Sequence, residues 1–149
     1  MNKSILAALF LLAGVNAHAQ APTDDDVVKL VKKAIAQAKQ SGMEPACRQF
    51  ADPTGGFIQG ELYVYVHDLN GKMICHATNP KLNGKDMIDM HDVEGKKFNR
   101  EMIELAKSKG NGWINYKFLN PATKTIMPKS SYVERMDGYI VGAGVYRAK

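Results

Sequence analysis

Residues Glu61 to Pro80 read ELYVYVHDLNGKMICHATNP, and the fold turns on how this stretch is read. Leu62, Tyr63, Val64, Tyr65 and Val66 are the β-branched and aromatic types that suit a pleated surface. Asp68-Leu69-Asn70-Gly71 follows with turn chemistry, because Asn70 and Gly71 both tolerate positive φ. Lys72 to Thr78 then runs back as a second strand, with Ile74 and His76 on one face and Met73 and Cys75 on the other. A hairpin with an apolar face needs a covering layer. The rest of the chain is expected to provide a helix for one side and a lidded pocket for the other.

Upstream, Thr23 caps a helix whose first turn carries Asp24, Asp25 and Asp26, negative charge at the positive end of the dipole. Val27, Val31, Ala34, Ile35 and Ala38 form its apolar stripe. Met43, Ala46, Cys47 and Phe50 continue the spacing past Ser41-Gly42 and Pro45. The pattern predicts one long helix, bent at most, ending near Ala51. Downstream, Asn79 to Gly84 reads as a loop and Met87, Ile88 and Met90 as a short helical turn. Phe98, Met102, Leu105 and Ala106 mark a second helix, closed by Gly110 and Gly112. Strands follow at Trp113–Phe118, Lys129–Arg135 and Tyr139–Tyr146, the last lightened by Gly142 and Gly144. The order is α+β, with helices segregated from an antiparallel sheet.

The first 19 residues fit a signal peptide: Lys3, an apolar run from Ile5 to Leu12, and Ala17-His18-Ala19 as a cleavage pattern. That run is short of the roughly 20 residues of a membrane span. The expectation is export to the periplasm, cleavage near Ala19, and one domain over residues 20–149 with no further span. The formal charge is +5, or +4 once Lys3 is removed, and the lysines are scattered. Such a surface does not point to nucleic acid.

Cys47 and Cys75 are the two cysteines, and an oxidising compartment favours one bridge between them. Two buried thiols or a redox pair are the other readings, although CxxC is absent. Cys47 lies on the apolar helix face between Met43 and Phe50. If His76 faces a pocket, Cys75 must face the helix, which brings the two sulfurs into one interface.

The runs YVYVHDLNGKMICHATNPKLNGKDM, GKKFNREMIELAKSKGNGWINYKFLNP and PKSSYVERMDGYIVGAGVYR together resemble a single Cache domain, a PAS-like extracellular sensor module of bacteria. The resemblance runs from about Met43 to Tyr146. It implies a five-stranded antiparallel sheet with a long N-terminal helix behind it and small helices covering a ligand pocket. It also implies a small organic acid as ligand, such as acetate, propionate or pyruvate. Cache domains of receptors sit between two transmembrane helices. Neither these nor an output domain is read here, so the expectation is a free-standing binding domain. Docking on a membrane sensor or transporter is the alternative use.

The resemblance implies that Lys129 of the P-K-x-x-Y pattern, with Tyr132, faces the ligand's carboxylate; otherwise Lys129 is a solvent-facing strand lysine. A buried lysine makes sense only when an anion completes it. His76, at a strand end near Pro80, is either packed or a donor to the ligand. Tyr63 or Tyr65 could wall the pocket. Trp113 and Tyr116 alternate to opposite faces, so one of them reaches the ligand unless a bulge intervenes. His67, His76 and His91 lack metal-ligand spacing, and Asp86, Asp89 and Asp92 lack a calcium-loop pattern. No nucleophile motif or paired carboxylate is present, so neither catalysis nor a cofactor is expected.

Overall fold

A computed structural model of the chain describes residues 21–147; the expected signal peptide lies outside the described residues. Helix α1 (Asp24–Ser41) starts at Thr23, whose hydroxyl accepts the Asp26 N–H while the Asp26 carboxylate accepts the Thr23 N–H. Its buried stripe comprises Val27, Leu30, Val31, Ala34, Ile35 and Ala38. The helix does not bend through to Ala51 as expected. It stops at Gly42, which takes φ 83°, and α2 (Met43–Ala51) begins afresh. Glycine enters positive φ without a Cβ penalty, and the Gly42 N–H closes the turn onto the Ala38 carbonyl. Pro45 then falls in the first turn of α2, where N–H groups have no intrahelical partner to lose.

The sheet contains β1 (Ile58–Gln59), β2 (Leu62–Asp68), β3 (Met73–His76), β4 (Asn111–Leu119), β5 (Ile126–Met136) and β6 (Tyr139–Tyr146). All its pairings are antiparallel, in the order β1-β2-β6-β5-β4, with β3 also on β2. Strands β2 to β6 are the five expected from the sequence. The two-residue β1 is added by the Gly60-Glu61 turn.

One face of the sheet is covered by α1, which packs on β6, β5 and β2, and by α2, which packs on β3. Val64 opposite Ala143 and Val66 opposite Val141 alternate toward that side, and all four are fully buried. The other face carries α3 (Phe98–Lys109), which ends at Gly110 with φ 83°, and the segment between β3 and α3.

That segment corrects a second expectation. Met87 to Met90 close a single turn, the Met90 N–H donating to the Met87 carbonyl, but form no helix; one 3₁₀ turn occurs earlier, at Pro80–Leu82. The backbone here is already committed to β3. The Met73 N–H donates to the Lys85 carbonyl, the Gly84 N–H to the Met73 carbonyl, and the Met87 N–H to the Gly71 carbonyl.

Alternation in β3 is broken as well. Tyr65 pairs with His76 and Val66 with Cys75, but a register shift makes His67 pair with Met73. This bulge turns Met73 to the side of His67 and His76, not to the side of Cys75 as strict alternation predicts.

Cys75 does face the helix layer, and Cys47 meets it in a disulfide with Cα atoms 5.8 Å apart. The bond fastens α2 to β3 across 28 residues. A loop of that length corresponds to about 3–4 kcal/mol in the chain-entropy account. Replacing both cysteines by serine is therefore expected to lower the unfolding free energy by about that amount in urea titration. An unchanged midpoint would show that the bridge contributes nothing to the folded state.

Candidate ligand-binding site

The inner face of the sheet is built by register. On β2, Tyr63, Tyr65 and His67 point the same way. Opposite them, Gly142 pairs with Tyr65 and Ile140 with His67. On the far side, Lys129 pairs with both Tyr116 and Tyr146, and Ser131 with Gly144. The two glycines make the floor possible. A Cβ on Gly142 would lie 2.5 Å from the Tyr65 ring, and one on Gly144 would lie 2.2 Å from Ser131 Oγ. Tyr65 thus lies flat across β6, its hydroxyl donating to Met102 Sδ of α3. Phe98 of α3 stacks on Tyr116 at 4.3 Å and 11°.

Lys129 is 2% exposed. Its Nζ donates to Tyr63 Oη at 2.8 Å and lies 4.1 Å above the Tyr63 ring and 4.9 Å from that of Tyr146. The chain of hydroxyls continues from Tyr63 to Tyr146 at 3.0 Å, and Tyr146 donates to the Leu119 carbonyl at 2.8 Å. No carboxylate pairs with Lys129 among the described residues. Burial alone pulls its pKa down to about 7. The aromatic faces and one phenol soften the charge but do not neutralise it. The charge of Lys129 is thus met by no side-chain carboxylate among the described residues.

His76 stands beside it, stacked at a tilt on Tyr63 with centroids 4.9 Å apart. Its Nδ1 accepts the Asn79 N–H at 3.1 Å, so the neutral ring carries its proton on Nε2. Burial, then the Lys129 charge and His67, hold its pKa down near 3. Its backbone N–H is tied to Asn83 Oδ1. His67 stacks on Tyr65, is 1% exposed, and has its Nδ1 buried without a partner among the described residues. Burial lowers its pKa to about 4.

Two chambers open from these residues. The inner one, about 20 Å³, is lined by Lys129, Tyr65, His67, Tyr116 and Met73. The outer one, about 410 Å³, extends from Tyr63 to the surface between the β3–α3 segment and the β4–β5 loop. His76, Leu82, Met90, Phe98 and Phe118 line both and form the neck between them. The cover is held by Asp92. Burial pushes its pKa up, but the backbone N–H groups of Glu94, Lys96 and Lys117 donate to its carboxylate and the net shift is downward. A Lys117–Glu94 ion pair lies alongside.

Of the residues expected at the site, Lys129, His76, Tyr65 and Tyr116 come together here. Tyr132 and Trp113 do not. They pair with each other on the opposite face, rings 5.6 Å apart, and the Tyr132 hydroxyl donates to Glu134, which also pairs with Lys32 of α1. The physical reason is parity, since Tyr132 is three residues from Lys129 along an unbulged strand. Tyr146 was missed, although its place was readable. The tight Asp137-Gly138 turn sets Met136 opposite Tyr139, and counting back along the hairpin sets Lys129 opposite Tyr146.

An antiparallel sheet with helices behind it, and a covered cavity around a buried lysine in front, defines a PAS-like α+β ligand-binding domain of the sensor type. The chain belongs to the single Cache domain 2 family, which it matches over residues 1–148. A Cache chemosensory domain described for its carboxylic acid recognition superposes with a TM-score of 0.70 at 30% identity, covering 83% of this chain and 92% of that one. The periplasmic sensor domain of a chemotaxis protein gives a TM-score of 0.66 at 27% identity, covering 81% and 88%. In sequence, the methyl-accepting chemotaxis protein McpP of Pseudomonas putida is 36% identical over 86 residues, which is 56% of this chain and 16% of the receptor. Among the described residues no helix is long and apolar enough to cross a membrane.

Proposed function

We propose that this chain is an exported, non-enzymatic binder of small organic acids of the acetate, propionate and pyruvate class, acting in sensing. The observation that carries this reading is Lys129, a lysine 2% exposed with no carboxylate beside it among the described residues. A ligand carboxylate supplies the missing charge. Lys129 Nζ and His76 Nε2–H are the donors that receive it, Tyr63 holds the ammonium in place, and Tyr65 and Tyr116 wall the site. The carboxylic acid named for one structural neighbour supports the same class.

Size limits the affinity. At a ceiling of about 1.5 kcal/mol per heavy atom, a six-heavy-atom acid reaches roughly 9 kcal/mol, a Kd on the order of a few tenths of a micromolar at best. Calorimetry against two- to four-carbon acids, on protein refolded to strip carried-over ligand, tests the proposal. Micromolar to millimolar binding of at least one is expected. Silence across the whole panel would overturn it.

A further inference from the structure

Three of the four exposed large apolar side chains among the described residues stand around one opening. Val93 (68% exposed), Leu119 and Ile126 (each 48%) all line the outer chamber. They come from three separate segments: the cover, the end of β4 and the start of β5. Scattered apolar residues on a surface need no explanation, but a cluster at the mouth of a cavity does. Deeper in, the walls are Leu82, Met90, Phe98 and Phe118. Of the polar groups among them, Asp92 is engaged by three backbone N–H groups and Lys117 by Glu94, while Asn79, His91 and Lys124 also line the chamber.

The volumes of the two chambers differ in a telling way. The inner one, about 20 Å³, has room for a group the size of a water molecule, hence for one carboxylate oxygen reaching Lys129, with the rest of the acid at the neck and beyond. The outer one, about 410 Å³, begins at the same neck. At the roughly 30 Å³ that each water occupies in the liquid, it has room for on the order of a dozen heavy atoms. A two- to four-carbon acid anchored at Lys129 leaves most of this apolar space filled with water and its rim uncovered.

We infer that the outer chamber is a tail subsite, and that the site accepts monocarboxylates whose apolar chain or single aromatic ring runs from the neck between His76 and Phe118 out to Val93, Leu119 and Ile126. The inference rests on Lys129 as the carboxylate anchor and extends the ligand range beyond the shortest acids. The tail displaces water from Met90 and Phe118 and covers the rim, so each added methylene is removed from water inside the protein.

Calorimetry of the stripped chain against acetate, butyrate, hexanoate, octanoate and phenylacetate tests it. Affinity is expected to rise about fourfold per methylene from butyrate to octanoate, the equivalent of ~0.8 kcal/mol per buried CH₂. Val93→Asn combined with Ile126→Asn is expected to lower the octanoate-to-butyrate affinity ratio about tenfold. Binding that peaks at two to four carbons and vanishes at six overturns the tail subsite while leaving the Lys129 anchor standing. A ratio unmoved by the rim variant overturns it equally. Failure of every acid overturns the anchor and the subsite together.

Discussion

Lys129→Met is expected to abolish binding of carboxylates while making the empty protein more stable. The two effects have one cause. Lys129 sits 2% exposed with its pKa drawn down to about 7 by burial. An exposed lysine titrates near 10.5, so the folded state holds this proton less tightly than the unfolded chain does. The resulting penalty is complete below about pH 7 and is relieved as pH rises from there to about 10.5. At neutral pH it is on the order of 4 kcal/mol, which methionine of similar length removes. Tyr63 keeps its hydroxyl partner on Tyr146 in the variant.

In the liganded protein the balance reverses. The carboxylate restores the charge on Lys129, so binding above pH 7 takes up nearly one proton and affinity falls about tenfold per pH unit. Loss of one partner of a buried pair costs about 3–5 kcal/mol, or roughly 10²- to 10³-fold or more in affinity. Thermal melts of the empty variant at pH 7, and calorimetry in buffers of different ionisation enthalpy, read both effects. A variant that melts lower, or that binds acids as well as the parent chain does, would remove Lys129 from the anchor position.

The second large effect is acid destabilisation through His67 and His76. Both are buried as neutral rings with pKa values near 4 and 3, against 6.5 for the free side chain. As pH falls below about 6.5 the unfolded chain takes up two protons that the folded chain refuses. Stability therefore drops through the window from about 6.5 down to about 3, and is regained on returning to neutral pH. Asp92, with its carboxyl held below the usual range, adds to the loss at the low end. The sum at pH 4 is on the order of several kcal/mol, comparable to the whole stability of a domain of this size. Urea midpoints should fall steeply between pH 7 and pH 4, and His67→Phe, which keeps a ring against Tyr65, should flatten the slope. Equal midpoints at the two pH values would mean that neither histidine is buried in its neutral form.

Much of the architecture was legible because it rests on local chemistry. The Thr23–Asp26 capping box, the turn at Asn70-Gly71, the tight Asp137-Gly138 turn and the alternation of β6 are each set by residues within a few positions of one another. The disulfide was legible for a related reason, since two face assignments made separately on Cys47 and Cys75 pointed into the same interface. One reading failed locally, where Gly42 at φ 83° splits the expected long helix, and others failed where a distant partner outweighed a local pattern. Met87 to Met90 look helical, yet between the bonds of this segment to β3 and Gly71 they close only a single turn. Met73 looks like a helix-facing residue until the bulge at His67 turns it over.

The sequence by itself determined most of the elements, their order and the α+β class, while Lys129 was singled out by the resemblance to a single Cache domain and His76 was left either packed or a donor to the ligand. Only the tertiary structure decided which aromatic side chains surround them. Tyr116 and Tyr146 share the face of Lys129, while Tyr132 and Trp113 turn to the helix layer, because antiparallel register assigns faces in pairs across strands. The missing counter-charge was likewise invisible in the chain, where acidic residues are plentiful. Burial and charge pairing depend on what is near in space, and among the described residues the folded sheet sets three tyrosine rings around Lys129 and no carboxylate.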